Sequence, residues 1–220
     1  MSLIDALRSW TRRPSAPDAG RWVVMDVESS GLDPRRDRLL AIAAIAVRTD
    51  GPRPRIDLAD SFEQVLQQPA SSAAPDRGNI LLHGIGVGAQ RAGVPRREAL
   101  QAFRAYVAGA PLIAFHAAFD QTLIDRAYRA EALPALACKW LDLAPLAAVL
   151  QPTVKARSLD EWMQAFGIHC VARHQAAADT LATAELLLKL WPSLRAELPQ
   201  PTFGAALSLA AQRRWLAPPK

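Results

Sequence analysis

The chain has 220 residues, half of them hydrophobic, and Lys plus Arg exceed Asp plus Glu by 26 − 21 = 5. This length predicts one core-forming domain with appendages, and no apolar run approaches the roughly 20 residues of a membrane-spanning helix, so we expect no membrane partner. A basic balance is compatible with a polyanionic partner, although a codon bias towards Ala and Arg explains it equally well.

The two cysteines, Cys138 and Cys170, match neither a metal-binding spacing nor a disulfide framework. The N-terminus lacks the long apolar stretch of a signal peptide. We therefore expect a protein of the reducing cytoplasm.

The first half of the chain predicts an arm followed by an antiparallel meander. Residues 1–18 predict an N-terminal helical arm and linker. Apolar, β-branched stretches at about 21–28, 39–47 and 56–66 predict three strands. Because only short polar turns join them, we expect neighbouring strands to be antiparallel.

Helices and strands alternate in the second half. The residue pattern predicts a surface loop over 67–79, a glycine-rich loop over 83–88, and strands at 111–115 and 138–142. It also predicts six helices: one at 95–107, one after Asp120, one from Pro145, one from Ser158, one from Gln175 that ends at Pro192, and one over 203–215. The alternation predicts an α/β domain with a mixed sheet over 19–192. Residues 193–220 are expected to form a partly helical C-terminal extension.

Two carboxylates end the first predicted strand. Asp26 and Glu28 stand at i and i+2, so they share one face of that strand. Carboxylates crowded at the end of a buried strand repel one another, and a divalent cation with oxygen ligands relieves them. A bare Asp-x-Glu more often marks an acidic turn, so the rest of the sequence must show whether these residues form a metal site.

Two further acids stand where the same site would form. Asp120 follows a strand at its junction with a helix, and Asp179 lies on the first turns of an apolar helix that must pack on the sheet. Open α/β sheets gather their sites at strand ends. Four carboxylates there predict two Mg²⁺ or Mn²⁺ ions and phosphoryl chemistry. Helix capping explains Asp120 equally well.

His174 offers a general base. It lies five positions before Asp179, so the two do not share a helix face, and His174 is expected in the loop before the helix. An imidazole can take a proton from water near neutral pH. In isolation, hydrogen bonding to a helix N-terminus explains the histidine equally well.

Three blocks in this order carry a family resemblance. Val23–Gly31, Leu112–Asp120 and Arg173–Asp179 resemble the motifs of the DEDD superfamily of 3′–5′ exonucleases, and the stretch from about 20 to 190 is similar to the exonuclease domain of the proofreading epsilon subunit of bacterial DNA polymerase III. The tyrosine branch would carry Tyr at Gln175. His174 therefore identifies the histidine branch, DEDDh.

The resemblance implies a ribonuclease-H-like fold, with a five-stranded mixed sheet of order 3-2-1-4-5 flanked by helices. It implies that Asp26 bridges two divalent ions, that Glu28 and Asp179 complete the first site, and that Asp120 holds the second. His174 would be the general base for a water that attacks the terminal phosphodiester, releasing a nucleoside 5′-monophosphate.

The resemblance also implies which residues hold the 3′ end of a single strand. They are Val27, Ser29, Ser30, Gly31, His83, Ile85 and Phe119. Val27 and the two serines replace threonines of the family pattern, and Phe115-His116 replaces His-Asn. We therefore expect unusual substrate contacts.

Other functions remain open at this point. An exoribonuclease of the oligoribonuclease or RNase T type would carry the same motif residues, which do not separate DNA from RNA. A non-catalytic, polymerase-associated nucleic-acid-binding subunit is a further alternative. Retention of all four acids and of His174 favours an enzyme.

Overall fold

The computed structural model describes residues 19–69 and 77–212. The predicted N-terminal arm and the end of the last predicted helix lie outside this range. The described part of the chain forms a sheet of five strands, β1 (Arg21–Ser29), β2 (Leu39–Arg48), β3 (Arg55–Val65), β4 (Leu112–Ala114) and β5 (Trp140–Asp142). No helix among these residues is long and apolar enough to cross a bilayer.

The sheet has the order β3-β2-β1-β4-β5, which confirms the predicted order. β2 pairs antiparallel with both β1 and β3, whereas β4 runs parallel to β1 and to β5. The predicted meander is therefore correct. β1 is the central strand, and its C-terminal end lies beside the start of β2, where Ser29 pairs with Leu39.

Eight helices accompany the sheet in the described residues. They are α1 (Arg77–His83), α2 (Val87–Ala92), α3 (Arg96–Val107), α4 (Ala118–Ala130), α5 (Leu143–Leu150), α6 (Leu159–Phe166), α7 (Ala176–Glu197) and α8 (Phe203–Ala211). Ser158 and Glu161 form the predicted capping box at the start of α6, because each side chain accepts a hydrogen bond from the other's backbone.

The alternation of β1 divides the core in two. Trp22 and Val24 belong to the cluster built with α5 to α8, whereas Val23, Met25 and Val27 belong to the cluster built with α3 and α4. Side chains two residues apart share a face of a strand. The strand residues after Val24 with the same parity therefore face the α7 side of the sheet.

The glycine-rich loop predicted over 83–88 is shorter than expected. His83 ends α1, and α2 begins at Val87. α1 also begins at Arg77, so the predicted surface loop does not extend to residue 79. These helices have too few residues to show a periodic pattern. The buried amide of Gln90 anchors the turn between them by donating to the Ile85 carbonyl at 3.0 Å.

The prediction that Pro192 ends the long helix is wrong. α7 is continuous over 22 residues with Pro192 inside it. A proline in a helix interior removes one hydrogen bond and costs about 3 kcal/mol. Leu190, Trp191 and Leu194 surround it and are buried. Each buried large apolar side chain contributes about 1.5–3 kcal/mol, which is enough to keep the helix intact.

α8 packs on the same core as β1. The Trp22 ring lies 5.3 Å from that of Trp191 in α7 and 5.2 Å from that of Phe203 in α8. The described part of residues 193–220 therefore covers the sheet, and the predicted boundary after residue 192 falls inside α7.

Candidate active site

Three acidic side chains meet at the C-terminal end of β1. Asp26 and Glu28 come from the strand and Asp179 from the first turn of α7, and one carboxylate oxygen of each lies within 4.8 Å of the others. The parity of β1 aims the first two at α7. The Thr180 hydroxyl donates to the Ala43 carbonyl of β2 at 3.3 Å, which fixes α7 on the sheet beside them.

Asp120 reaches the site from the other layer. It is the third residue of α4 and only 2% exposed, and its Oδ1 has no hydrogen-bond partner among the described residues. Asp120 does not belong to the group of three, although its charge acts on Asp26. A buried carboxylate oxygen without a donor is costly, and a cation would satisfy it.

Asp26, Glu28 and Asp120 hold protons more tightly than isolated acids do. Burial foremost, then repulsion from Asp120, Glu28 and Asp179, raises the pKa of Asp26 well above its usual value. Burial and then the charge of Asp179 raise the pKa of Glu28 to about 8. Burial also raises the pKa of Asp120 to about 8, although hydrogen bonds with the backbone N–H groups of Asp120 and Val27 act to lower it.

These properties fit a site for hard divalent cations. All the donors are carboxylate oxygens, which Mg²⁺ and Mn²⁺ prefer. Mutual repulsion and the unpartnered Asp120 oxygen are both relieved by positive charge. The described residues therefore match the metal chemistry that the sequence predicts.

The positively charged Arg173 side chain already pairs with Asp179. Its guanidinium donates to Asp179 Oδ1 and also to both carboxylate oxygens of Asp160, at 2.5 and 3.2 Å. A metal that used Asp179 Oδ1 would have to displace Arg173 towards Asp160. Sequence reasoning missed this pairing of Asp160, which stands in the first turn of α6 between the two capping-box residues, Ser158 and Glu161.

His174 lies in the loop before α7, as predicted. Its side chain is exposed and its φ is +61°, in the left-handed region that side chains other than glycine rarely adopt. The His174 N–H donates to Asp179 Oδ2 at 3.2 Å, which ties the strained residue to the acidic cluster. Such strain at a cluster of charges is typical of functional sites.

The predicted substrate residues after Glu28 build the turn between β1 and β2. Ser29 Oγ donates to the Gly31 carbonyl at 2.5 Å, and Ser30 Oγ donates to Asp37 Oδ1 at 3.1 Å. A Cβ on Gly31 would lie 2.5 Å from the Asp37 carboxylate, so a larger residue there would force the Asp37 side chain to shift. Val27 is buried in the core, so a substrate contact there would have to use its main chain.

The other predicted substrate residues form the wall beside this turn. His83 is buried, and its Nδ1 accepts a hydrogen bond from the Ile85 N–H at 3.0 Å. Burial lowers the pKa of His83. Because its Nδ1 accepts a hydrogen bond, the ring carries its proton on Nε2. Ile85 packs on β2, whereas Phe119 is half-buried against the α3–α4 core.

His116, at the position that departs from the family pattern, is held by Asp142. The His116 N–H donates to Asp142 Oδ1 at 2.9 Å, and φ of His116 is +61°. Asp142 also caps α5 by accepting from Ala144 N at 3.1 Å. Its charge contributes to the raised pKa of Asp120. The position of Asp142 at the end of β5 was the sequence signal for this supporting role.

A five-stranded mixed sheet with carboxylates gathered at the end of its central strand is the architecture of a nuclease of the ribonuclease-H-like class. The family model RNase_T, described as Exonuclease, matches residues 23–187. The chain belongs to this exonuclease family, which confirms the resemblance found in the sequence.

Relatives include proteins of bacterial DNA replication. A DNA polymerase III subunit epsilon-like protein of Rhodobacter capsulatus is 33% identical over 198 residues, which cover 85% of this chain and 26% of that protein. A PolC-type DNA polymerase III of Halalkalibacterium halodurans is 27% identical over 170 residues, which cover 77% of this chain and 11% of that protein. The chain therefore spans about a tenth to a quarter of these relatives.

Solved structures share the fold. Exonuclease I of E. coli in complex with a dT13 oligonucleotide matches with a TM-score of 0.66 and 20% identity, over 81% of this chain and 43% of that one. Cell-death related nuclease 4 (CRN-4) matches with a TM-score of 0.64 and 12% identity, over 79% of this chain and 64% of that one.

Proposed function

We propose that this chain is a two-metal 3′–5′ exonuclease that hydrolyses the terminal phosphodiester at the 3′ end of DNA and releases nucleoside 5′-monophosphates. The observation that supports this most is the convergence of Asp26, Glu28 and Asp179 within 4.8 Å at the end of the central strand. Membership of the exonuclease family supports the reaction class.

The four carboxylates have distinct roles in this proposal. Asp26, Glu28 and Asp179 would hold one divalent ion, Mg²⁺ or Mn²⁺, and Asp120 together with Asp26 would hold a second. When bound, such ions neutralise the charge of the phosphodiester and acidify water. The buried Oδ1 of Asp120 supports the role of Asp120 as a metal ligand, because this oxygen accepts no hydrogen bond from the described residues.

His174 is the general base. Its exposed ring can reach the substrate from the loop, while its main chain stays bound to Asp179. An exposed imidazole exchanges its proton with solvent between turnovers. Arg173 neutralises Asp179 in the protein without metal and turns to Asp160 when an ion is bound.

The substrate is a single-stranded 3′ end of DNA. Exonuclease I, whose structure was solved with a dT13 oligonucleotide, and the polymerase III relatives support DNA over RNA. We also propose association with a polymerase subunit, which the polymerase III relatives support, and a place in the cytoplasm. An exoribonuclease and a non-catalytic binding subunit are the alternatives that the experiment must separate.

The decisive experiment compares strands and metals. Purified protein is incubated with 5′-labelled single-stranded DNA or RNA of one sequence, with Mg²⁺, Mn²⁺ or EDTA, and products are resolved by chromatography. We expect single-nucleotide shortening and free 5′-monophosphates from DNA only when metal is present. Faster degradation of the RNA strand would make the chain an exoribonuclease.

Matched variants separate catalysis from contamination. Glu28→Gln removes a proposed ligand, and Glu63→Gln changes an exposed glutamate of β3 in the same way. We expect loss of activity only in Glu28→Gln. Binding of the strand without shortening in the unmodified protein, at any metal concentration, would favour a non-catalytic subunit.

A further inference from the structure

A cavity rich in arginine lies beside the acidic cluster. It has a volume of about 320 Å³ and lies between the turn after β1, the start of α3 and one face of α4. Four arginines line it, Arg38, Arg96, Arg126 and Arg129. Asp37 is the one carboxylate that the described residues bring to its wall. The cavity therefore concentrates positive charge.

Asp37 is already engaged in the turn. Its Oδ1 accepts from the Ser30 hydroxyl at 3.1 Å, and its Oδ2 accepts from the Asp33 N–H at 2.8 Å. Arg126 donates to the Pro34 and Asp37 carbonyls at 2.6 and 2.9 Å. Carbonyl groups fix the position of this guanidinium without cancelling its charge, so the wall stays cationic.

Arg96 has donor capacity to spare. Its Nη2 donates to Gln68 Oε1 at a long 3.4 Å, and its Nε is buried without an acceptor among the described residues. An anionic oxygen entering the cavity would accept hydrogen bonds from the Arg96 guanidinium.

The cavity is close to the carboxylates but separate from them. Arg126 follows Asp120 by six residues of α4, an axial distance of about 9 Å. On the other wall, Arg38 exchanges backbone and hydroxyl hydrogen bonds of 2.9 Å with Ser30, two residues after Glu28. A ligand in the cavity would therefore lie on the order of 10 Å from the acidic cluster.

We propose that this cavity is a second anion site that binds a phosphate group. Guanidinium groups bind phosphate oxygens in pairs, and four of them around one space favour a doubly charged phosphate. A volume of about 320 Å³ is that of a small-ligand pocket and suits a nucleotide. The phosphate belongs either to a free nucleoside 5′-monophosphate or to the backbone of a single strand.

The test uses the full chain in EDTA, so it does not depend on metal or on nuclease activity. Inorganic phosphate, a nucleoside 5′-monophosphate and a single-stranded oligonucleotide are titrated by calorimetry and by thermal shift. The variants are Arg129→Gln, at an exposed residue, and the double variant Arg96→Gln/Arg129→Gln. Arg53→Gln, an exposed arginine between β2 and β3, is the matched control.

We expect a loss of affinity of about 10-fold or more in the double variant, about 3-fold in Arg129→Gln and none in Arg53→Gln. Loss for phosphate and mononucleotide identifies a free ligand. Loss for the oligonucleotide alone, with a salt slope lower by about 0.7 for each contact removed, identifies a strand. Equal affinities in the parent and in both cavity variants, or no binding of any probe, would overturn the proposal. Far-UV circular dichroism checks that each variant is folded.

Discussion

Charged side chains of opposite sign pair at the N-terminal end of β1, whereas acidic side chains crowd together at its C-terminal end. At the N-terminal end, Arg21 donates to both oxygens of Asp60 at 2.6 and 2.7 Å and to the Val107 carbonyl at 3.2 Å. At the C-terminal end, Asp26 and Glu28 face another carboxylate. The hydrogen bond from Arg21 lowers the pKa of Asp60, whereas burial raises the pKa of Glu28 to about 8.

One strand therefore has an ion pair whose charges balance at its N-terminal end and a cluster of mutually repelling acids at its C-terminal end. The pair stabilises the packing of β1 against β3 and α3 without any ligand. The cluster destabilises the folded chain until a cation or protons neutralise it. Substitutions at the two ends should have opposite effects on stability, and only those at the C-terminal end should affect catalysis.

Asp26→Asn should have the largest effect. It removes the ligand that both ions would share, and a loss of about 4 kcal/mol of transition-state stabilisation lowers the rate about 10³-fold. The same change removes repulsion, so we expect a higher melting temperature without metal. Steady-state nuclease assays and thermal unfolding measure the two effects. Parental activity in this variant would exclude Asp26 from the site.

His174→Gln should lower the rate by about 10²- to 10⁴-fold, the usual contribution of a general base. Its backbone bond to Asp179 remains, so Mn²⁺ affinity measured by calorimetry should be nearly unchanged. His169→Gln alters another exposed histidine and is the control. A parallel fall in metal affinity would reassign His174 to positioning Asp179.

Arg21→Gln tests the N-terminal end. It leaves the half-buried Asp60 without its charged partner, and we expect a loss of about 1–3 kcal/mol in the free energy of unfolding. Arg55→Gln breaks an exposed pair with Asp57 and should cost less than about 1 kcal/mol. Urea unfolding compares the two. Metal-dependent activity at low temperature should stay at the parental level in both variants.

The pH dependence of stability should have opposite signs at the two ends. The folded pKa values of Glu28 and Asp120 are about 8, above their unfolded values, so the folded chain binds more protons in between. Without metal, the melting temperature should therefore fall as pH rises from about 4.5 to 8. For Asp60, whose pKa is lowered, stability is lost as pH falls below about 4.

Glu28→Gln sharpens this prediction. It should flatten the fall in stability between pH 4.5 and 8, because one titrating group is gone. Saturating Mg²⁺ should reverse the fall in the parent chain, since binding requires the deprotonated carboxylates. A melting temperature that rises with pH in EDTA would contradict the raised pKa values.

Local sequence patterns were sufficient to predict the features that depend only on residues close together in the sequence. The parity of β1 assigned Asp26 and Glu28 to one face, and the spacing of Ser158 and Glu161 predicted a capping box. The position of His174 in a loop also followed from its separation from Asp179. Each of these depends on geometry within a few residues.

Features that depend on distant residues could not be predicted in this way. The role of Arg173 needs Asp160 of α6, and the arginine cavity joins a turn to two helices. The rule that proline ends a helix failed at Pro192, because burial in the core outweighed the local cost. α1 and α2 are short, and the packing of Ile85 and Gln90 determines them more than propensity does.

The part of α7 that precedes Pro192 joins the acidic cluster to the aromatic cluster of Trp22, Trp191 and Phe203. Asp179 near its start and Trp191 in the aromatic cluster belong to one rod, about 18 Å apart along the axis. A tilt of about 3° around Trp191 would move the Asp179 carboxylate by about 1 Å, a displacement that can cost two orders of magnitude in rate. Repacking of Phe203 at the far end of the sheet would therefore shift the acidic cluster without touching it.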